Sequence, residues 1–220
     1  MGKSLELDVI NWAAVVSTET AEDFGAAEPA TIIPAAQRRR LPSFSRDILR
    51  VALPLLRDAP GCPVVLSSPH GDLTSTVTLL SDIARREVLS PSLFGLSVHN
   101  APAGALSLML ERPGDQISLA GDDATLAAGL TEVYARLATQ DAASILLIHA
   151  DERLPPIYEV FEEPETPGVV VAMLLRRAGG EGACLKVSEG RSGAAALVEG
   201  LHTGHARLQF SPPACKAVAA

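Results

Sequence analysis

Two aspartates stand side by side in "ISLAGDDATLAAGLTEVYARLA", from Ile117 to Ala138. The apolar start, the glycine and the apolar run beyond it predict a short strand, a sharp turn through Gly121 and a helix beginning near Asp122. An elbow of this kind suits a nucleophile, because a helix N-terminus favours negative charge. Asp122 and Asp123 offer neither a thiol nor a hydroxyl. A carboxylate there can cap the helix, contributing about 0.5–2 kcal/mol over alanine, or keep other groups out by its charge.

The remaining chemistry-bearing residues are scattered. His149, with Asp151 two residues on, has the composition of a general base and its orienting carboxylate. His70, in "SSPHGD", follows a strand end and precedes a helix start, where α/β folds place functional groups. Ser75 and Thr76 lack a surrounding Gly-x-Ser-x-Gly pattern. An independent hydrolase or acyltransferase would have to assemble Ser68, His70 and Asp151 from distant positions. His202 and His205 are close, but no further ligand stands at suitable spacing, so no metal is expected. "AGGEG" is a turn without the Lys-Ser/Thr and helix of a phosphate loop, and no cofactor is expected.

The elements that must position these groups follow from periodicity. Leu5 to Val16 alternates as a strand; Ser17 to Pro34 reads as a long loop; Ser43 to Ala59 has helical spacing, with Pro54 expected to kink or shorten the helix. "CPVVLSS" is a short buried strand, and a helix follows with Asp72 as its N-cap. "ASILLIHADE", Ala143 to Glu152, is an apolar strand of the buried parallel type. Gly168 to Ala178 and Gly182 to Gly190 read as a terminal hairpin around "GGEG", then a short helix and a tail over 211–220. The expectation is an α/β fold: a mixed five-stranded sheet with flanking helices, in a single domain over 1–220.

Composition narrows the partners. A net charge of −8 argues against nucleic acid, and the short basic run Gln37 to Arg40 reads as a solvated helix start. No apolar run approaches the roughly 20 residues of a membrane span, and "MGKSLELDVINW" does not read as a signal peptide. Cys62, Cys184 and Cys215, without metal spacing, suggest a reducing, cytoplasmic setting. The 47% hydrophobic content therefore predicts an interface with another protein.

The segment "LSPSLFGLSVHNAPAGALSLMLERPGDQISLAGDDATLAAGL" resembles the N-terminal half of the β-ketoacyl synthases, of thiolase-like fold. Ser90, Pro91, Phe94, Asn100, Ala103 and Gly104 match that family's Ser-Pro start, its helix with an Asn, and its Ala-Gly; "ISLA" then precedes the elbow. "ASILLIHADERLPPIYEVF" resembles the strand and loop beyond the nucleophile helix. The clear resemblance covers about 89–161, and it is nearest to the short chain-length-factor type found with aryl polyene and related pigment pathways. The family's elbow reads roughly Ser-x-Ala-x-x-Cys, which places the nucleophile position on Asp123, or on Asp122 with a slip of one. A carboxylate cannot form the acyl thioester of a ketosynthase. The C-terminal half, with its catalytic histidines, would begin where this chain ends.

The resemblance implies a non-catalytic subunit that forms a heterodimer with a full-length β-ketoacyl-ACP synthase and shapes its acyl tunnel. An acyl carrier protein would be engaged only indirectly, through that partner. The residues expected at the partner and tunnel interface are Phe94, Leu96, His99, Asn100, Gly104, Leu106, Leu108 and Met109. Two alternatives stand beside this: a small independent hydrolase or acyltransferase, and a homodimeric acyl-binding remnant.

Overall fold

The seven residues Ile-Leu-Leu-Ile-His-Ala-Asp run almost without polar alternation, and they form β5 (Ile145–Asp151), buried at every position. A strand covered on both faces is what such a run requires. The computed structural model describes residues 4–18, 20–111, 114–161, 166–179, 183–188 and 190–213. The tail expected over 211–220 lies outside the described residues from 214 onward, as do three residues of "GGEG".

The chain order is β1 (Leu5–Ser17), β2 (Ala21–Gly25), α1 (Ala35–Arg38), α2 (Ser43–Asp58), β3 (Val64–Ser67), α3 (Leu73–Arg85), α4 (Pro91–Ser97), α5 (Ala101–Met109), β4 (Gln116–Leu119), α6 (Thr125–Thr139), β5, β6 (Gly168–Arg177), β7 (Leu185–Lys186), α7 (Gly190–His202) and β8 (Arg207–Phe210). The strands form one mixed sheet in the order β4-β3-β5-β6-β1-β8-β7, with β2 also on β1. β3, β4 and β5 are mutually parallel, and β6 returns antiparallel to β5. β1 is long enough to pair with β6 on one side and to share its other side between β8 and β2. A buried ion pair, Arg207 Nε to Asp8 at 2.7 Å, ties β8 to β1.

Two apolar layers flank the sheet. Phe44, Ile48, Val51, Ala52 and Leu55 of α2, with Ala103 and Leu106 of α5, pack on one face against Leu66, Leu146, Ile148 and Ala172. Leu126, Leu130, Val133 and Leu137 of α6, with Leu197, Val198 and Leu201 of α7, pack on the other against Val65, Leu147, Val171 and Met173. α6 can sit close to the sheet because position 129 is glycine. A Cβ there would lie 2.9 Å from both Leu147 Cδ1 and Ser67 Oγ.

The mixed sheet with flanking helices is as the sequence reading has it; the strand count is not. The described sheet has eight strands rather than five. β2 is hidden in a stretch without alternating hydrophobics, and β8 follows α7 as only four residues. The expected terminal hairpin is also absent, since β7 pairs parallel to β8 and β6 lies beyond β1. Nor does Pro54 end its helix: α2 runs from Ser43 to Asp58. Proline withholds its N–H from the carbonyl four residues earlier, and that carbonyl, of Arg50, instead accepts the N–H of Glu28 at 3.2 Å. Arg50 Nε donates back to the Glu28 carbonyl at 3.0 Å. The loop over 26–34 thus supplies the bond that the proline removes.

α3 and α4 pack chiefly on each other. α3 buries only Ser75 and Leu79, and Leu80, Ile83, Phe94 and Val98 of this arm are exposed. No described helix is long and apolar enough to cross a membrane.

Candidate functional site

The parallel strands β3, β4 and β5 end together, and the first turns of α3, α6 and α7 follow at the same end of the sheet. Helix N-termini and strand carboxyl ends form the usual crevice of an α/β fold. Asp122 and Asp123, His70, His149 and Asp151, Phe161 and Arg191 face one cavity there, of about 100 Å3. This is small beside the roughly 300–1,000 Å3 of ordinary ligand sites.

The elbow is a true bend. Asp122 has φ +55°, a left-handed conformation uncommon outside glycine, and Asp122–Ala124 form a single 3₁₀ turn before α6 starts at Thr125. The expected capping by the aspartates is not found. Thr125 closes the turn instead: its hydroxyl accepts the Gly121 N–H at 2.9 Å and donates to the Asp122 carbonyl at 2.6 Å. Neither Asp122 nor Asp123 receives a side-chain hydrogen bond as a cap, and both are exposed. Two hydrated carboxylates therefore mark the tip of the bend.

The polar groups behind the elbow are already engaged. His149 is buried, with Nδ1 3.1 Å from Ser67 Oγ. Burial pushes its pKa down to about 4, with the Asp151 carboxylate acting the other way, so the imidazole is neutral at pH 7. Asp151, expected as its orienting carboxylate, is in a buried ion pair with Arg191 at 3.0 Å. The same Nη2 of Arg191 also donates to the Glu152 carbonyl at 3.0 Å. Glu152 has its pKa raised to about 8, first by burial, then by Asp47 and Asp72, with Arg46 opposing. Ser68, His70 and Asp151 do not assemble into a relay: Ser68 Oγ accepts the Gly71 N–H at 2.9 Å, His70 is exposed and Asp151 is held by Arg191.

The neighbouring arm is fixed by histidine and glycine. His99 Nε2 lies 2.9 Å from the Ser68 carbonyl, and its ring approaches Gly71, where a Cβ would be 3.1 Å from Cδ2 and φ is +62°. Asp72 caps α3 as expected, accepting Ser75 N at 2.9 Å. Asn100 stands at the start of α5 without a side-chain capping bond. Of the other residues expected at an interface, Phe94 and Leu108 are 61% and 82% exposed. Leu96, Gly104 and Met109 are half-buried. Leu106 points into the core at 2% exposure, because α5 turns that side toward α2.

β4 forms the margin of the sheet beside this site. The Ser68 N–H reaches the Leu119 carbonyl and the Val64 N–H reaches that of Asp115. By the alternation of a parallel ladder, Gln116 and Ser118 turn their backbone groups to the outer, unpaired edge. This open edge was not evident in the sequence. Its signal is the strand's shortness and its position directly before the elbow.

The sequence profile described as "Beta-ketoacyl synthase, N-terminal domain" matches residues 10–212. Among solved structures, the chain is similar to a "Ketosynthase (ApeO) in Complex with its Chain Length Factor (ApeC)" from Xenorhabdus doucetiae. That likeness has 24% identity and a TM-score of 0.75, over 91% of this chain and 93% of that one. It is also similar to the ishigamide ketosynthase/chain length factor, at 13% identity and TM-score 0.59, covering 79% of this chain and 62% of that one. A third likeness is to the complex AntDE:AntF, a type II acyl-carrier protein with its ketosynthase, at 11% identity and TM-score 0.57, over 80% of this chain and 63% of that one. At these identities the likeness is one of fold. No curated protein matches the chain.

Proposed function

The chain belongs to the β-ketoacyl synthase N-terminal domain family, and from that premise we propose that it is a non-catalytic, chain-length-factor-type subunit that pairs with an active β-ketoacyl-ACP synthase and shapes its acyl tunnel. The observation that carries this reading is the elbow itself. The resemblance puts the family's nucleophile position on Asp123, or on Asp122 with a slip of one, and both carboxylates are exposed at the tip of the bend. A hydrated carboxylate is a poor nucleophile beside a thiolate and cannot form a thioester. Around it, His149 is neutral and buried, and Asp151 is engaged by Arg191.

The surface supports a pairing role. An unpaired strand edge is a template for another chain; among the described residues β4 presents one, and α4 and α5 carry exposed apolar groups. Phe94 and Leu108 are the largest of these, and His99, Asn100, Leu96, Gly104 and Met109 lie on the same stretch of chain. An obligate interface of this kind buries upwards of about 2,000 Å2. Similar folds occur in complexes of a ketosynthase with its chain length factor, and one similar complex contains an acyl-carrier protein. In this reading the carrier docks on the ketosynthase, and the present chain contributes side chains that limit the tunnel.

Native mass spectrometry of the chain co-expressed with a ketosynthase encoded beside it tests the reading. The expected result is a one-to-one heterodimer in which acylation is confined to the larger subunit. A monomer or homodimer that ignores the ketosynthase, or acylation of this chain, overturns it.

A further inference from the structure

Helix α7 ends in a turn that its glycine allows. Gly204 has φ +98°, and its N–H reaches the Leu201 carbonyl at 3.1 Å. The next N–H, of His205, returns to the Gly200 carbonyl at 3.1 Å, which completes a Schellman closure. The chain then enters β8, and His205 and Arg207 come to stand with Asp8 of β1 and Arg176 of β6. These four side chains line a cleft of about 620 Å3, within the range of ordinary ligand sites. It lies at the end of the sheet opposite the elbow and toward β8, away from the β4 margin.

Its charges do not cancel. Asp8 is engaged on both oxygens: one accepts Arg207 Nε at 2.7 Å and the other the Gly179 N–H at 3.0 Å. The hydrogen bond from Arg207 holds its carboxyl below the usual carboxylate range. Arg176 comes only to 3.9 Å from Asp8, and its side chain is 60% exposed. Glu6, the next carboxylate on that face of β1, accepts Gln209 Nε2 at 3.4 Å and does not line the cleft. Two guanidinium groups thus meet one carboxylate, in a chain whose net charge is −8. His205 adds a third group. Its Nδ1 is 3.1 Å from the Gly200 carbonyl, which only accepts, so Nδ1 carries the hydrogen and Nε2 is the nitrogen left for a guest. The other described lining residues are Val9, Thr203, two glycines and two alanines. Nothing among them stacks a ring or covers a long apolar tail.

We propose that this cleft binds the phosphate group of a small polar molecule, with Arg176 in direct contact and Arg207 and His205 beside it. A guanidinium fork matches phosphate oxygens in pairs. Nε2 of His205 accepts the proton of a phosphate monoanion or, when charged, donates to the dianion. The guest has two sources, free inorganic phosphate or the phosphate monoester of a polyol, and neither depends on pairing with a ketosynthase.

His205 is the reporter. The full chain is titrated with inorganic phosphate and, separately, with glycerol 3-phosphate, at fixed pH and with ionic strength held constant by sodium chloride. The histidine C2–H resonances are followed by NMR. The expected result is a saturable shift of the His205 signal, identified by its loss in His205→Asn, with His70 at the elbow unmoved. Arg176→Gln weakens binding about tenfold or more with the circular dichroism spectrum retained, and Arg85→Gln, at the end of α3, leaves it unchanged. Tighter binding of glycerol 3-phosphate assigns the monoester; equal or tighter binding of inorganic phosphate assigns the free anion. A His205 signal that moves with neither probe, or that moves equally with sodium chloride alone, overturns the proposal in the wild-type protein, whatever the variants do. Undiminished binding by folded Arg176→Gln overturns the assignment to this cleft.

Discussion

The two ends of the sheet are built from different materials. At the carboxyl end, histidines, carboxylates, serines and an arginine converge on an elbow, yet the space between them is about 100 Å3 and most of the buried groups have partners. At the amino end about 300 Å3 stands between Leu56, Leu106 and Leu110 on one hand and Arg57, Cys62, Ser107, Asp115 and Gln116 on the other. The contrast teaches that residue type is a poor guide to a site where polar groups have been spent on one another. The ion pair, the serine–histidine contact and the threonine-closed turn hold the elbow in shape and engage its buried polar groups with one another.

The sharpest separation between core and surface lies within α5. Leu106 and Leu108 are two residues apart, both were expected at an interface, and the structure assigns them to opposite environments. Leu106→Asp places an unpaired charge among α2 and the sheet and is expected to cost more than about 4 kcal/mol, seen as loss of the cooperative urea transition. Leu108→Asp is expected to change stability by less than about 0.5 kcal/mol and to abolish co-purification with the ketosynthase. Equal stabilities for the two would break the assignment of α5's faces.

Next in size is the buried pair that closes the carboxyl end. Asp151→Asn leaves Arg191 without its counter-charge and is expected to lower stability by about 3 kcal/mol in urea unfolding. A loss of under about 0.5 kcal/mol would mean that the end is not held by this pair. Asp151 also shows why the site was only partly readable in sequence. Strands β3 and β5, helix α6 and the cap Asp72 follow from periodicity and local chemistry, and their placement matches. The pairing of Asp151 with Arg191 joins residues 40 apart through the packing of α7, which no local spacing encodes. β2 escaped for a related reason: its partners on β1 make it a strand, while its own residues, Ala-Glu-Asp-Phe-Gly, do not. The freed carbonyl of Arg50 is a third case, because the proline is visible in sequence and the Glu28 N–H that compensates for it is not.

The same end should also set the pH dependence of stability. Burial raises the Glu152 pKa to about 8 in the folded chain against an ordinary 4.5, so between these values the native state holds a proton that the unfolded state has lost. Its contribution is full below about 4.5 and falls as pH rises through 8. His149 works in the other direction. Its folded value of about 4 lies below 6.5, so its contribution is present above 6.5 and is lost as pH falls toward 4. Between pH 6.5 and 8 only Glu152 acts among these two, and stability is expected to decline there by at most about 1.4 kcal/mol per pH unit for one proton. Urea midpoints across that window check it, and Glu152→Gln should flatten the decline. An unchanged slope in the variant would assign the titration to another group.

The smallest effect should come from Asp123, at the tip of the bend. Asp123 is exposed, receives no capping bond and follows a turn that Thr125 closes. Asp123→Ala is therefore expected to shift stability by less than about 0.5 kcal/mol, and to leave both heterodimer formation and product yield intact. Thr125→Val removes the hydroxyl that bridges Gly121 and Asp122, and should cost about 0.5–1.5 kcal/mol because two part-buried hydrogen bonds are lost. The pair separates two histories for the elbow. If its shape alone is kept, the threonine matters and the aspartate does not. If the carboxylate works across the interface, by excluding an acyl group or meeting a charge on the ketosynthase, Asp123→Ala loses product while stability and assembly stay unchanged. Product yield measured beside native mass spectrometry for both variants decides between them, and only the first outcome agrees with an elbow whose own buried contacts account for its form.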